Sequence, residues 1–314
     1  MIRFSFRCAL CTHALPFILA IGTVCTGLVL PALLTGAPGA HAQALYPTPD
    51  AAANALANAL ATGDQDATMH VLGRDYRRLI PAQDIGEDDI YDFLGAWAQG
   101  HEILTEAGRG KGRQTARLAV GTSGWTLPIP LVQTSHGWHF DTAAGRDELL
   151  TRRIGRDERA AMMTSLAYLD AQNDYRNLTG HYAQRLISTQ GQHDGLYWPV
   201  APGEADSPLG PLAAAMPPGA TVSRDGYRGY HYRILTTQGE HAKGGPQDYV
   251  QDGVMTKGYA LVAWPAQYGT TGVMSFVVNQ DGQLYQKNLG PQSARIASAL
   301  RSFDPGPSWS PVQP

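Results

Sequence analysis

The period of apolar and polar positions changes several times along this chain, and each change marks an element. Residues 51–61, AAANALANALA, place Ala53, Leu56, Ala57 and Leu60 on one helical face and stop at Gly63. Thr48 suits the N-cap, Pro49 the first helical position and Asp50 the first turn. Asp64 is placed to cap a shorter helix carrying Met69 and Leu72, and Ile90, Phe93, Leu94 and Trp97 recur at helical spacing over 87–98. Strand-like pieces then follow at 101–106, 114–120, 125–132 and 137–141. Trp97, Trp125, Trp138 and Phe140 read as core aromatics.

The spacing next predicts a helix over 142–153, ended by Gly155. A second helix follows at once, with Asp157 and Glu158 at its N-terminus and Met162, Leu166 and Leu169 as its buried stripe. Arg146, Arg152, Arg153 and Arg156 crowd this junction. Asp147, Asp157 and Glu158 are interleaved with them, so an ion-pair network is preferred over an anion site. Residues 199–221 are rich in Pro and Gly without periodicity, which predicts a long loop. Strands resume at 230–235 and near Tyr249-Val250.

The stretch 258–290 then reads as a three-stranded meander. Alternation over 259–264 halts at Pro265, the apolar 273–278 suits an inner strand, and Asn279-Gln280-Asp281-Gly282 supplies a turn before a more polar edge at 284–287. A last helix spans 293–303, and Asp304-Pro305-Gly306-Pro307 leads into a tail, 305–314, expected to be disordered.

Helices followed by an antiparallel sheet, twice over, define an α+β protein. Its expected divisions are a leader at 1–42, an N-terminal domain at 43–155 and a C-terminal domain at 156–304. The element order of 44–141 resembles the nuclear-transport-factor-2-like cone, in which a curved sheet wraps an N-terminal helix. The helix ending AYLDAQNDY with the GTTGVMSFVVNQDG meander resembles the head of a type IV pilin or pseudopilin. The charged 152–159 does not match the apolar assembly half of a polymerising pilin.

Composition adds a location. Arg3 and Arg7 precede an apolar run from Ala14 to Leu34 and an Ala40-His41-Ala42 site, the pattern of a secretory signal cut between Ala42 and Gln43. An uncleaved anchor is the alternative, since the run is long enough to span a membrane. All three cysteines lie in this leader, which excludes a disulfide framework and a thiol nucleophile from the mature chain. Without Arg3 and Arg7, 22 basic side chains face 27 acidic ones, a formal charge of −5. No long basic run exists, so nucleic acid is not the expected partner.

Taken together, HFDTAAGRDELLTRRIGRDE, AYLDAQNDY, YAQRLIST, DGLYWP, GYHYRILTTQG and the meander resemble a family of exported bacterial proteins, domain-of-unknown-function family 2950, over about residues 46 to 304. The resemblance implies no activity, cofactor or catalytic residue. Many members of the family carry an Asp/Gly-rich segment before YAQ, where this chain has Tyr175-Arg176-Asn177-Leu178-Thr179-Gly180.

The chain carries no zincin, nucleophile-elbow, P-loop or dinucleotide signature, and its histidines show no metal spacing. No cofactor and no metal site are therefore expected. Eleven of 14 tyrosines fall between Tyr168 and Tyr285. The densest run, Tyr197, Trp198, Tyr227, Tyr230 and Tyr232 with Arg233, is the candidate binding set. In a regular strand Tyr230 and Tyr232 share one face, and His231 and Arg233 the other. Core tyrosines with hydroxyls reaching the sheet edge are the preferred reading; the alternative is a recognition surface for an envelope protein or glycan. A non-catalytic binding or assembly role follows, against a hydrolase built on His231, Asp194 and Asp252.

Overall fold

The computed structural model describes residues 43–79, 87–107, 114–200, 203, 206–210 and 224–314. The leader, through Ala42, lies outside the described residues, as does most of the 199–221 loop. No helix among the described residues is long and apolar enough to cross a membrane.

The chain is mixed α+β. Helix α1 (Pro49–Ala61) starts where Thr48 Oγ1 accepts from Ala51 N at 3.1 Å, and α2 (Gln65–Leu72) where Asp64 Oδ1 accepts from Ala67 N at 2.9 Å. A short α3 (Tyr76–Leu79), which the periodicity did not mark, and α4 (Glu87–Gln99) follow. Strands β1 (His101–Ala107), β2 (Gln114–Val120), β3 (Leu131–Thr134) and β4 (Gly137–Phe140) form an antiparallel sheet in chain order. The expected strand at 125–132 is shorter: Thr126 makes an isolated bridge to Ala119, and pairing resumes at Leu131. Prolines at 128 and 130 lack the N–H a ladder needs. Trp138 and Phe140 are core as expected, but Trp125 is 44% exposed and Trp97 half-buried.

Helix α5 (Thr142–Thr179) corrects the break expected at Gly155: it is one helix of 38 residues. Nothing lies within 4 Å of a Cβ at Gly155, and the helix passes through it exposed. A glycine costs a helix interior only about 1 kcal/mol, too little to end one anchored at both ends. The N-terminal end is held by Asp141 Oδ1 accepting from Ala144 N and by Gly145, which lies against Ile129. Further along, Arg152 donates to Glu148, to Thr126 O at 2.7 Å and to Thr126 Oγ1. The C-terminal half packs on a second sheet and stops at Gly180 in the left-handed conformation.

That second sheet has the order β14-β12-β11-β10-β5, all antiparallel. Its strands are β5 (Tyr230–Leu235), β10 (Ala260–Pro265), β11 (Met274–Asn279), β12 (Leu284–Asn288) and β14 (Ser310–Val312). Short strands make two further small sheets: β6 (Thr237–Gln238), β7 (Gln247–Asp248) and β13 (Ser302–Phe303) in the order β13-β6-β7, and β8 (Val250–Gln251) paired with β9 (Val254–Met255). Helix α6 ends earlier than expected, at Ser293–Ala299. The tail is also corrected, since residues 310–312 pair with β12 and cover the edge assigned to it. Pro311 is tolerated there because an outermost strand needs no donor on its free side.

Register fixes which side chains share a face. Tyr232, Ala263, Phe276 and Gln286 are cross-strand neighbours on one face, and Arg233, Val262, Val277 and Tyr285 on the other. Within the single compact unit of residues 42–314, apolar side chains gather into separate cores. Leu56, Leu118, Leu131, Trp138 and Phe140 lie in those of the first sheet; Tyr168, Tyr230, Tyr249, Tyr259 and Phe276 lie in that of the second.

Candidate functional site

The tyrosine-dense segment folds inward. Tyr230 has no exposed surface, and its hydroxyl donates to Met274 O at 2.8 Å. Tyr168 donates to Ala260 O at 3.2 Å and Tyr249 to Gln238 Oε1 at 2.8 Å. Burial pushes the Tyr249 and Tyr259 phenols up to about 12, so both stay neutral donors across the physiological range. Tyr230, offered above as a binding residue, has no surface to present to a partner.

Tyr227 and Tyr232 border a cleft. Its walls are Thr164 and Tyr168 from α5, Leu186 and Ile187 from the following loop, Leu209, Tyr227, Tyr230 to Tyr232 from β5, and Leu261 from β10. The lining is almost wholly apolar. The cleft offers about 20 Å³ that a water-sized group can occupy, enough for one water or one methyl. The buried Tyr232 hydroxyl makes no hydrogen bond of ordinary geometry among the described residues; its polar neighbour Thr164 Oγ1 donates to Ala160 O at 2.8 Å.

Arg228 stands beside this cleft. Its φ of 47° is in the left-handed region, an uncommon state for a non-glycine residue, and the tight chain path there is shared by Gly226 and Gly229. The Arg228 side chain is exposed, lies over the Tyr227 ring at 5.8 Å, and donates from Nε to Tyr227 Oη at 3.4 Å. It joins none of the ion pairs of the described residues. Asp157 is paired instead with Arg156 at 3.5 Å, and Glu158 accepts from Val273 N and Met274 N. Burial raises the Asp157 carboxyl above its usual value, opposed by Arg156, Arg153 and Arg228.

The remaining candidates are held elsewhere by their own partners. Asp194 staples the 185–197 loop, accepting from Thr189 N at 2.7 Å and Thr189 Oγ1 at 2.8 Å, with Arg185 at 3.5 Å; the Thr189 bonds hold its carboxyl below the usual range. Asp252 (φ 52°) and Gly253 (φ 79°) form the two-residue turn between β8 and β9, where positive φ at both positions matches a type I′ hairpin. His231 faces Trp264 at 5.8 Å, and burial lowers its pKa below the ordinary histidine value. No hydrogen bond or ion pair joins His231, Asp194 and Asp252 to one another among the described residues.

Arg233 donates from Nη2 to Ala297 O and Leu300 O and closes the end of α6. Tyr197 pairs through its backbone with Leu186 and Ser188, and Trp198 stacks on His193 at 4.3 Å. Asn279 and Asp281 make the turn before β12: Asp281 N donates to Asn279 Oδ1 and Gly282 N to Asn279 O. No group of three or more His, Cys, Asp or Glu side chains suited to a metal occurs among the described residues. Sequence reasoning missed Thr164, Leu186, Ile187, Leu209 and Leu261, which come from four separate segments with no shared spacing. Arg228, between Gly226 and Gly229, carried a local signal in the glycines around it.

No curated protein and no solved structure matches this chain. The family model described as protein of unknown function DUF2950 matches residues 43–312, and the chain belongs to that family.

Proposed function

We propose that this protein is an exported binding module of the bacterial envelope and that the cleft beside Tyr227 is its contact point. The observation that carries the reading is that cleft: an apolar slot between α5, β5 and the loop at 186–187, with Arg228 over the Tyr227 ring that borders it. Slots of this kind hold one side chain or one small group of a partner, while polar groups at the edge fix orientation. The partner is an envelope protein or glycan, and the module needs no cofactor.

Export between Ala42 and Gln43 belongs to the same proposal. It is supported by the leader pattern, and by Gln43 Nε2 already donating to Val71 O at 3.1 Å and Phe140 O at 2.7 Å. The division into 43–155 and 156–304 is supported by the separate cores, with α5 as a continuous strut across it. In finer architecture, the first sheet with α1 and α2 is a nuclear-transport-factor-2-like cone, and α5 with the meander a pilin-like head.

The test uses Ile187→Trp, which fills the slot from a half-buried position. Wild type and variant are compared in recovering a partner from envelope extracts, with melting curves as the folding control. Loss of the partner with an unchanged melting temperature supports the reading. Equal recovery by both proteins overturns it.

A further inference from the structure

We propose that the peptide bond between Asp304 and Pro305 cuts itself, releasing residues 305–314 from the folded chain. The proposal is independent of the cleft and stands on how the structure holds the one Asp-Pro pair in the sequence. Phe303, 2% exposed at the end of β13, anchors the chain just before the bond. The Asp304 carboxylate then folds onto the 239–242 turn, where Oδ1 accepts from His241 N at 2.8 Å and from His241 Nδ1 at 3.0 Å. Gly239 makes room for it, since a Cβ there would stand 2.4 Å from Asp304 Cγ. Oδ2 has no hydrogen bond among the described residues. The Asp304 carbonyl is engaged separately, accepting from Gly306 N at 2.8 Å across Pro305. The His241 ring lies against Gly306, so near that a Cβ on that glycine would meet Cε1 at 3.2 Å.

Each group has a part in cleaving the amide. Oδ2 is the nucleophile, and it closes through Cγ, Cβ and Cα onto the carbonyl carbon of its own residue, so no second molecule has to be brought up. The Gly306 N–H holds the oxygen that turns negative as that carbon becomes tetrahedral. The C–N bond then breaks, and the His241 imidazolium gives a proton to the proline nitrogen, which leaves as an amine. What remains is an anhydride between the two carboxyl groups of Asp304. The Asp304 and His241 side chains are 40% and 49% exposed, so water reaches the anhydride and opens it. Two protons are released, one back to His241 and one to the freed amine, and Asp304 becomes a chain end with two carboxylates. The segment that leaves carries Ser308 and Trp309, the partners of Lys287, together with β14, so the cut bares the outer edge of β12.

The test holds the purified full chain at pH 7 and follows loss of PGPSWSPVQP by intact-mass spectrometry. A synthetic peptide of residues 300–310, which has the same bond without the turn, runs beside it. Cleavage roughly 100-fold faster in the folded chain than in the peptide is expected, about what one oriented oxyanion donor or one general acid supplies. His241→Gln keeps the backbone N–H that holds Oδ1 and removes the proton donor. It should melt as wild type does and cut about 100-fold more slowly. Pro305→Ala leaves both His241 contacts in place and replaces the leaving nitrogen, and it should slow the cut likewise. A rate equal to the peptide's, a rate that rises with protein concentration, or a rate unchanged in both variants overturns the proposal.

Discussion

The two sheets of this chain are packed by different chemistry. Around the first, Leu56, Leu118, Leu131 and Phe140 are buried with no polar atom to satisfy, and α4 lies over the sheet with Phe93 and Trp97 only half covered and Tyr91 66% exposed. Around the second, the largest buried side chains are Tyr168, Tyr230, Tyr249 and Tyr259, and their hydroxyls reach Ala260 O, Met274 O, Gln238 Oε1 and Asn173 Oδ1. A purely apolar core is held by burial alone and tolerates swaps of equal volume. A tyrosine core adds directional bonds that tie each ring to one backbone carbonyl or one amide, so its geometry is more narrowly specified. The difference explains why tyrosines crowd 168–285 without making an exposed aromatic surface.

The largest expected effect tests that contrast. Tyr230→Ala should destabilise the protein by about 3–5 kcal/mol, through a cavity beside Phe276 and an unpaired Met274 carbonyl. Tyr230→Phe should cost about 1 kcal/mol, the share of the hydrogen bond alone. Denaturant titration of both variants checks this, and a Tyr230→Ala loss below that of Tyr230→Phe would dissolve the distinction between the two cores.

Next comes the joint between α5 and the first sheet. A Cβ on Gly145 would meet Ile129 Cγ1 at 2.9 Å, so Gly145→Ala should cost roughly 1–3 kcal/mol despite alanine's better helix propensity. Hydrogen exchange should show the loss as faster opening of β3 and α1, with β10 and β11 protected as before. Uniform acceleration across both sheets would mean that the two cores open as one.

Gly155 offers the opposite sign. It is exposed, mid-helix and without neighbours, so Gly155→Ala should stabilise by about 0.5–1 kcal/mol if α5 is continuous, read as a raised melting midpoint. A destabilised variant would restore the break that the sequence pattern predicted.

The smallest effect is in pH. The His231 pKa is depressed by burial, so the unfolded chain takes up a proton that the folded chain refuses. Stability from this group is therefore present above the ordinary histidine value of 6.5 and declines as pH falls below it toward the lower folded value. Replacing His231 by Gln should flatten the melting temperature between about pH 6.5 and 5. An unchanged slope would show that other groups govern acid sensitivity. Beside the first sheet, Glu148 of α5, whose carboxyl is held below its usual range chiefly by the Arg152 hydrogen bond, would make a comparison by Glu148→Gln.

Sequence alone determined whatever depends on near neighbours in the chain. Thr48 and Asp64 cap the helices they were read to cap, Gln114–Val120 and Tyr230–Leu235 are strands over the bounds read from their pattern, and the meander runs in the order its turn residues dictate. These follow from backbone conformation and period, which a handful of adjacent residues set. Tertiary structure decided the rest. Whether Gly155 breaks a helix depends on what anchors the two ends, and Trp125 sits 44% exposed because the strand expected there is interrupted. Residues 310–312 become a strand because β12 offers an unpaired edge within their reach. The cleft joins Thr164, Leu186, Leu209, Tyr232 and Leu261, and Asp194 is drawn into a turn and Arg233 onto a helix end. Those outcomes are fixed by contacts between segments tens of residues apart, and no local period encodes them.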